Sequence, residues 1–190
     1  MDTKKLNNTY FLMRHGHSRA NEEGIIISNP SIGTIQYGLT EQGKKQVLSA
    51  SGKFLETENI MIYCSDFLRG RETAEILQKT LKVQDINFTP LLRERYFGFY
   101  DGLDDNQYQL VWEKDKLNEN NKHNSVESPR LVSNRVESLI SDLENKHAKM
   151  NIILISHGDC LQILQTVFDN ISPANHRSLN HLQVAEIRKM

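Results

Sequence analysis

The sequence predicts a single α/β domain of three layers, α/β/α, in which a mostly parallel sheet carries helices on both faces. Three observations lead there. A chain of 190 residues is long enough for one well-buried core and short for two. Short apolar runs rich in strand formers alternate with amphipathic stretches, the pattern of strand–helix units around a parallel sheet. No internal repeat or linker interrupts the pattern, so residues 1–190 read as one domain.

Each element has its own reason. Thr9-Tyr10-Phe11-Leu12-Met13 is short, apolar and rich in strand formers, hence a buried strand. Thr40 suits the N-cap of a helix that places Val47, Leu48, Phe54 and Leu55 on one face. Ile60 to Cys64 reads as a second strand, followed by a helix carrying Ala74, Ile76, Leu77 and Leu81. Ile86 to Phe88 is a weaker strand, stopped by Pro90. Val132, Val136, Leu139, Ile140 and Leu143 mark the clearest amphipathic helix. Asn151 to Ser156 is the strongest strand, Cys160 to Phe168 the helix after it, and Leu182, Val184 and Ile187 a last, irregular strand. A lid-like excursion is expected around residues 104–128. From Lys114 to Ser128 it is so rich in Lys, Asn and Glu that it reads as solvated.

Composition excludes several classes of partner. With 23 Lys+Arg against 24 Asp+Glu, the net charge is −1. Binding of nucleic acid needs a basic surplus or stripe, so no nucleic-acid partner is expected. Cys64 and Cys160 are far apart and form no CxxC pair, which argues against a disulfide framework or a zinc knuckle. They read as packed free thiols. Met1 to Lys5 lacks the apolar core of a signal peptide, and no run reaches the roughly 18 apolar residues of a membrane span. A cytoplasmic protein with no membrane partner is expected. The sequence carries no signal for an oligomeric state.

Ligands of an open parallel sheet bind at the carboxyl ends of its strands. The first strand runs into Arg14-His15-Gly16-His17-Ser18, and the second into Ser65 with Arg69 a turn later. The strongest runs into Ser156-His157-Gly158-Asp159. Two strands thus end in His-Gly, and two present an arginine nearby. Guanidinium forks match a phosphate dianion and stay charged. A neutral imidazole is a competent nucleophile toward phosphorus near pH 7. Gly16 and Gly158 would let the backbone approach the ligand, and the following helix N-terminus adds N–H donors. Two arginines and a second imidazole can neutralise the phosphoryl charge, so no metal and no other cofactor is required.

These segments resemble the histidine phosphatase superfamily, which includes the cofactor-dependent phosphoglycerate mutases. Arg14-His15-Gly16-x-Ser18-x-x-Asn21 is similar to its signature. Gly38-Leu39-Thr40-x-x-Gly43 resembles its Pro-Leu-Thr-x-x-Gly helix start, with Gly38 for the usual proline. Ser65 to Ala74 resembles its Ser-x-Leu-x-Arg-Ala-x-Gln-Thr-Ala block, with Phe67, Gly70 and Glu72 as departures. Leu92 to Gly98 resembles the acid-bearing segment, and Ser156-His157-Gly158 the second-histidine segment. The resemblance covers about residues 9 to 170 and implies a phosphoglycerate mutase-like fold.

It also implies roles. His15 attacks phosphorus and becomes a transient phosphohistidine. Arg14, Arg69 and His157 grip the phosphoryl oxygens, while Asn21 and Ser18 add hydrogen bonds. Glu94 protonates the leaving oxygen and then helps water attack, which requires a raised pKa. Candidate substrate contacts are His17, Arg95, Tyr96 and Gly158. Competing readings stand beside these. Glu94 between Arg93 and Arg95 also fits a surface salt-bridge cluster. His15-x-His17 has metal-ligand spacing, although no set of carboxylates completes it. Asp159 either caps the helix that starts there or tilts the pocket against anionic substrates. Trp112 fits core or lid, and His123, His147, His176 and His181 have no motif context and read as surface or packing residues.

The resemblance leaves two activities open. Mutases of this superfamily hold a second anionic group with an adjacent arginine pair beyond the acid. Here only Lys114, Lys116 and Lys122 fall in that region. The expectation is a metal-independent phosphatase acting on a small-molecule phosphate monoester. Mutase-type phosphoryl transfer is the alternative, and a non-catalytic phospho-ligand binding protein on the same fold is the second.

Overall fold

The computed structural model describes residues 6–55 and 58–190; the N-terminal stretch read above as lacking a signal core, residues 1–5, lies outside them. Strand β1 (Thr9–Arg14) is followed by the helices α1 (Arg19–Glu23), α2 (Pro30–Gly33) and α3 (Glu41–Ser51). Strand β2 (Ile60–Cys64), helix α4 (Leu68–Leu81) and strand β3 (Ile86–Phe88) come next. A long excursion carries α5 (Tyr108–Leu117). The chain then forms α6 (Pro129–Lys146), β4 (Asn151–Ser156), α7 (Gly158–Asp169) and β5 (Ile187–Lys189).

The sheet order is β3-β2-β4-β1-β5. The first four strands run parallel, and β5 pairs antiparallel with β1. Because β4 is inserted between β1 and β2, it is covered on both faces, and Ile152 to Ile155 are all fully buried. This is why its sequence is uniformly apolar and not alternating. Side chains of β1 alternate between the layers. Tyr10 and Leu12 pack with α6 and α7, whereas Phe11 and Met13 pack with α3 and α4. The α6 helix follows its signal closely: Ser128 caps it by accepting from the Leu131 N–H, Pro129 takes its first position, and Val132, Val136, Ile140 and Leu143 are buried. Among the described residues no helix is long and apolar enough to cross a membrane.

Three local expectations need correction. Thr40 does cap α3, accepting from the Gly43 N–H, but the helix ends at Ser51. Val47 is buried, Leu48 is 57% exposed and Leu55 86% exposed. Phe54 reaches the core only by folding back edge-on to Phe11, with ring centroids 4.9 Å apart. The last strand is shorter than its apolar pattern. Leu182 belongs to the α6–α7 side of the core, and a turn with Ala185 at φ 59° separates it from β5.

The third correction concerns the polar excursion. It is not solvated throughout: Ile26, Phe97, Tyr100, Val111 and Val126 form a small core of their own, with Tyr108 packed against it. Asp115 and Asn121 are buried as well, because they satisfy each other and Arg95: Arg95 gives Asp115 two hydrogen bonds, of 2.5 and 2.8 Å, and the Asn121 amide gives it a third. Buried polarity is tolerated when it is paired in this way.

Candidate active site

Register brings three strand ends together. Arg14 at the end of β1 pairs with Ser156 of β4, and Cys64 of β2 pairs with Ile155. The next residues, His15, His157 and Ser65, therefore lie side by side. Arg69 enters from the first turn of α4. Its Nε lies 3.1 Å from His15 Nε2 and 3.1 Å from His157 Nδ1. A guanidinium can only donate, so both ring nitrogens must accept. That fixes the tautomers. The His15 proton sits on Nδ1 and is donated to the Gly16 carbonyl at 2.7 Å. The His157 proton sits on Nε2 and is donated to Ser65 Oγ at 2.8 Å.

Electrostatics agree with this proton count. Burial first, then the Arg69 charge, hold both imidazoles well below the usual histidine range, with Arg14 adding to the effect. Both are neutral near pH 7. His15 is 3% exposed, Arg69 4% and His157 0%. Arg14 reaches the other way, donating through Nη1 to His181 Nε2 at 2.7 Å and to the Leu182 carbonyl at 3.1 Å. Arg14 Nε and Arg69 Nη1 are shielded from solvent and have no hydrogen-bond partner among the described residues. Unpaired buried donors are rare, and two beside one imidazole pair mark a place built for acceptor oxygens.

Glu94 is buried too, not part of an exposed salt-bridge cluster. Its Oε1 accepts from the backbone N–H groups of Arg95 at 2.9 Å and Cys160 at 3.1 Å. Burial and the nearby Asp159 charge raise its pKa above the ordinary carboxyl value, against the lowering pull of Arg69. A cavity of about 210 Å³ opens here, with Arg14, Asn21, Glu94, Asp105, Gly158 and His181 in its wall and Tyr108 and Trp112 from α5 over it. A larger groove of about 920 Å³ runs along α3 and the β5 edge, but none of these groups lines it.

The other sequence candidates divide. Ser18 caps α1 in a reciprocal box with Asn21 and is fully buried, so it positions Asn21, which does line the cavity. His17 turns away toward α3, where Nδ1 lies 3.2 Å from Thr40 Oγ1. Among the described residues, no three or more His, Cys, Asp or Glu gather as metal ligands. Arg95, expected as a substrate contact, does not line the cavity. It is fully buried, and Asp115, Asp159 and the Glu127 carbonyl take its donors. Tyr96 is exposed and outside the cavity wall. Gly16 has a packing reason in place of a ligand-approach one: a Cβ there would come 2.6 Å from the Gly43 carbonyl oxygen of α3. At Gly158 a Cβ would come 3.1 Å from His181 Cε1, so this glycine makes room for that ring.

Asp159 does not cap α7, whose N-cap is His157. It receives hydrogen bonds from Trp112 Nε1 at 2.9 Å and Arg95 Nη1 at 3.1 Å, with Arg177 and His176 3.9 Å away. Burial pushes its pKa up, but the His176, Arg95 and Arg177 charges outweigh this and leave it below the ordinary value. Sequence reasoning missed His181 and Asp105 as cavity residues. His181 meets Arg14 across 167 positions, and no local pattern encodes such a contact. His176 is a packing residue as expected, fully buried with Nδ1 2.9 Å from the Pro173 carbonyl.

Comparison with known proteins concerns the whole chain. The family model for the histidine phosphatase superfamily (branch 1) matches residues 10–190. A probable phosphatase of Schizosaccharomyces pombe is 28% identical over 162 residues, spanning 83% of this chain and 72% of its own. A 2,3-bisphosphoglycerate-dependent phosphoglycerate mutase of Bartonella henselae is 31% identical, but over 108 residues, or 55% of this chain and 50% of its own. The solved structure of a mycobacterial glucosyl-3-phosphoglycerate phosphatase superposes with a TM-score of 0.81 at 20% identity, covering 95% of this chain and 91% of that one. With strand ends, paired histidines and family model in agreement over nearly the whole sequence, the chain belongs to the histidine phosphatase superfamily.

Proposed function

We propose that the protein is a metal-independent phosphatase that hydrolyses a small phosphate monoester through a phosphohistidine on His15. One observation carries the reading: two neutral, buried imidazoles share the Arg69 Nε donor, while Arg69 Nη1 and Arg14 Nε meet no acceptor among the described residues. A tetrahedral dianion supplies acceptors for these N–H groups and draws Arg69 off the His15 lone pair.

The steps follow from the tautomers. His15 Nε2 forms a bond to phosphorus as the ester P–O bond breaks, while the Gly16 carbonyl holds the proton on Nδ1. Glu94, whose carboxyl pKa burial raises above its ordinary value, gives its proton to the leaving oxygen. Water then attacks phosphorus, the N–P electron pair returns to Nε2, and Glu94 accepts the proton of the water. Ester and water give alcohol and phosphate, with the enzyme restored. Arg14 and Arg69 stabilise the equatorial charge throughout. His157 acts on Arg69 by holding its Nε. Asn21 is a phosphate ligand in this scheme, and Ser18 orients it.

Hydrolysis is favoured over mutase-type transfer because, among the described residues, no second arginine or lysine lines the cavity beside Arg14. Arg95 is spent on Asp115 and Asp159. Arg177 Cζ lies 3.6 Å from the Trp112 ring centroid, and the guanidinium donates to Gln162. The buried, unpaired thiols of Cys64 and Cys160 support a reducing cytoplasmic setting. The purified protein should hydrolyse p-nitrophenyl phosphate in excess EDTA, and His15→Ala should reduce turnover to background. Normal turnover by that variant would sink the mechanism, and faster isomerisation than hydrolysis of 3-phosphoglycerate would make it a mutase. Phosphate binding without turnover would leave a binding protein.

A further inference from the structure

The tyrosine expected at the substrate, Tyr96, lies outside the cavity, and a different tyrosine stands in its wall. Tyr108 opens α5, in an excursion that the sequence leaves without a site residue, and lines the cavity with Arg14, Asn21 and Glu94. Its ring is held on two sides. The Phe97 ring meets it edge-on, with centroids 4.7 Å apart, and the Trp112 ring stacks on it at 5.3 Å with 6° between the planes. Trp112 is in turn tied to α7, its Nε1 donating to Asp159 at 2.9 Å, and Asp115 on the same helix holds Arg95. The position of Tyr108 is therefore set by its ring and not by its hydroxyl.

That hydroxyl has no hydrogen-bond partner among the described residues. Such a lack means little in open solvent, but the charges around Tyr108 place its oxygen at the site. Burial lowers the pKa of both Arg14 and Arg69. Of the groups that act against this, the Tyr108 oxygen is second only to the Glu94 carboxyl at each guanidinium. Charge interactions weaken with separation, so the oxygen lies near both arginines. Burial and the Glu94 charge in turn push the phenol pKa up, which keeps it an O–H donor at neutral pH. The site thus holds the Tyr108 O–H together with Arg14 Nε and Arg69 Nη1, the two shielded donors that no acceptor among the described residues meets.

Two uses of the hydroxyl can be weighed. A donor to the leaving oxygen would duplicate Glu94, and no hydrogen bond joins those two side chains among the described residues. A donor to a non-bridging phosphoryl oxygen would add to the N–H groups of the arginines it lies beside. We propose, building on the phosphatase reading, that Tyr108 is a phosphate-binding residue of the site, supplied by α5 and donating its O–H to a non-bridging oxygen of the phosphoryl group. A hydrogen bond of this kind, with a charged acceptor, is among the strong ones. It is present in ground state and transition state alike, so it acts on binding more than on the chemical step. The excursion then completes the site instead of only covering it.

Tyr108→Phe tests this, because it removes the hydroxyl and keeps the ring between Phe97 and Trp112. Binding of inorganic phosphate, measured by calorimetry, should weaken roughly 10- to 100-fold, the range for a hydrogen bond to a charged group. The kcat/KM should fall by a similar factor, chiefly through KM. The loss should be equal for p-nitrophenyl phosphate and propyl phosphate, which carry the same phosphoryl oxygens. Phosphate binding equal to that of the parent would overturn the inference and leave the hydroxyl merely solvated. A loss confined to propyl phosphate would overturn it too, by moving the hydroxyl to the leaving oxygen. In both cases hydrolysis by the parent, abolished in His15→Ala, keeps the phosphatase reading intact. A parent that neither binds phosphate nor hydrolyses either ester overturns both.

Discussion

A carboxyl group can serve as acid and base in turn only if both of its states are reachable, and Glu94 is placed for that. Burial and Asp159 raise its pKa, while two backbone N–H groups on Oε1 and the Arg69 charge keep the anion accessible. In the proposed mechanism the first step needs protonated Glu94 and neutral His15. Since the His15 pKa lies well below its usual value, kcat/KM should hold at mildly acidic pH and fall on the acid side only as His15 protonates. On the alkaline side it should fall as Glu94 loses its proton, at a pH above that of a free carboxyl. Glu94→Gln should remove that alkaline limb. For an alkyl phosphate, whose alkoxide needs the proton, the loss should be about 10²–10⁴-fold. For p-nitrophenyl phosphate, which departs as a stabilised anion, it should be far smaller. Equal losses on both esters would take the acid role from Glu94.

The α5 excursion shows what the element scale adds. Its amphipathic signal is weak and its composition polar, yet Arg95 joins the Glu94 segment to α5 through Asp115 and to α7 through Asp159. Asp115→Asn keeps the shape but leaves Arg95 short of a buried counter-charge, a change that costs about 3–5 kcal/mol in comparable settings. Urea unfolding should show a lowered midpoint at unchanged slope, and a midpoint within error of the parent would deny the pair its role. The elements read well from sequence, such as β4 and α6, are those whose burial is apolar and local in period. Arg14, His15, Arg69 and His157 were legible because each follows a strand end by a fixed short offset. Arg95, expected at the substrate, is tied to Asp115 instead, because a charged residue beside the proposed acid gives no local sign of a buried carboxylate 20 residues on. Phe54 and Leu55 were misassigned because periodicity cannot see that a helix stops at Gly52.

At the scale of the whole molecule, building the site at the strand ends places a cluster of neutral imidazoles at one end of the core, and this makes folding pH-dependent. His15, His157 and His181 all have pKa values lowered by burial and by arginine charge, to about 4 for His181. In the unfolded chain each titrates near 6.5. Below that pH the unfolded state binds more protons than the folded state, so the unfolding free energy falls as pH falls. Each histidine contributes up to about 1.4 kcal/mol per pH unit until its own folded pKa is reached. Three together reach about 4 kcal/mol at pH 5.5, a large part of the roughly 5–15 kcal/mol that holds a domain together. Glu94 acts in the opposite sense, because its raised pKa adds stability as pH falls, but it is one group against these three and His176, whose pKa burial also lowers. The urea midpoint should therefore drop clearly from pH 7.5 to pH 5.5. His157→Asn and His181→Gln should each flatten that dependence by removing one titrating group. If the folded site binds phosphate as proposed, inorganic phosphate should raise the midpoint at both pH values, by about 2.7 kcal/mol when present at 100 times its Kd. A midpoint that does not change between the two pH values would mean that the imidazoles are not held neutral, and the nucleophile derived from them would lose its basis.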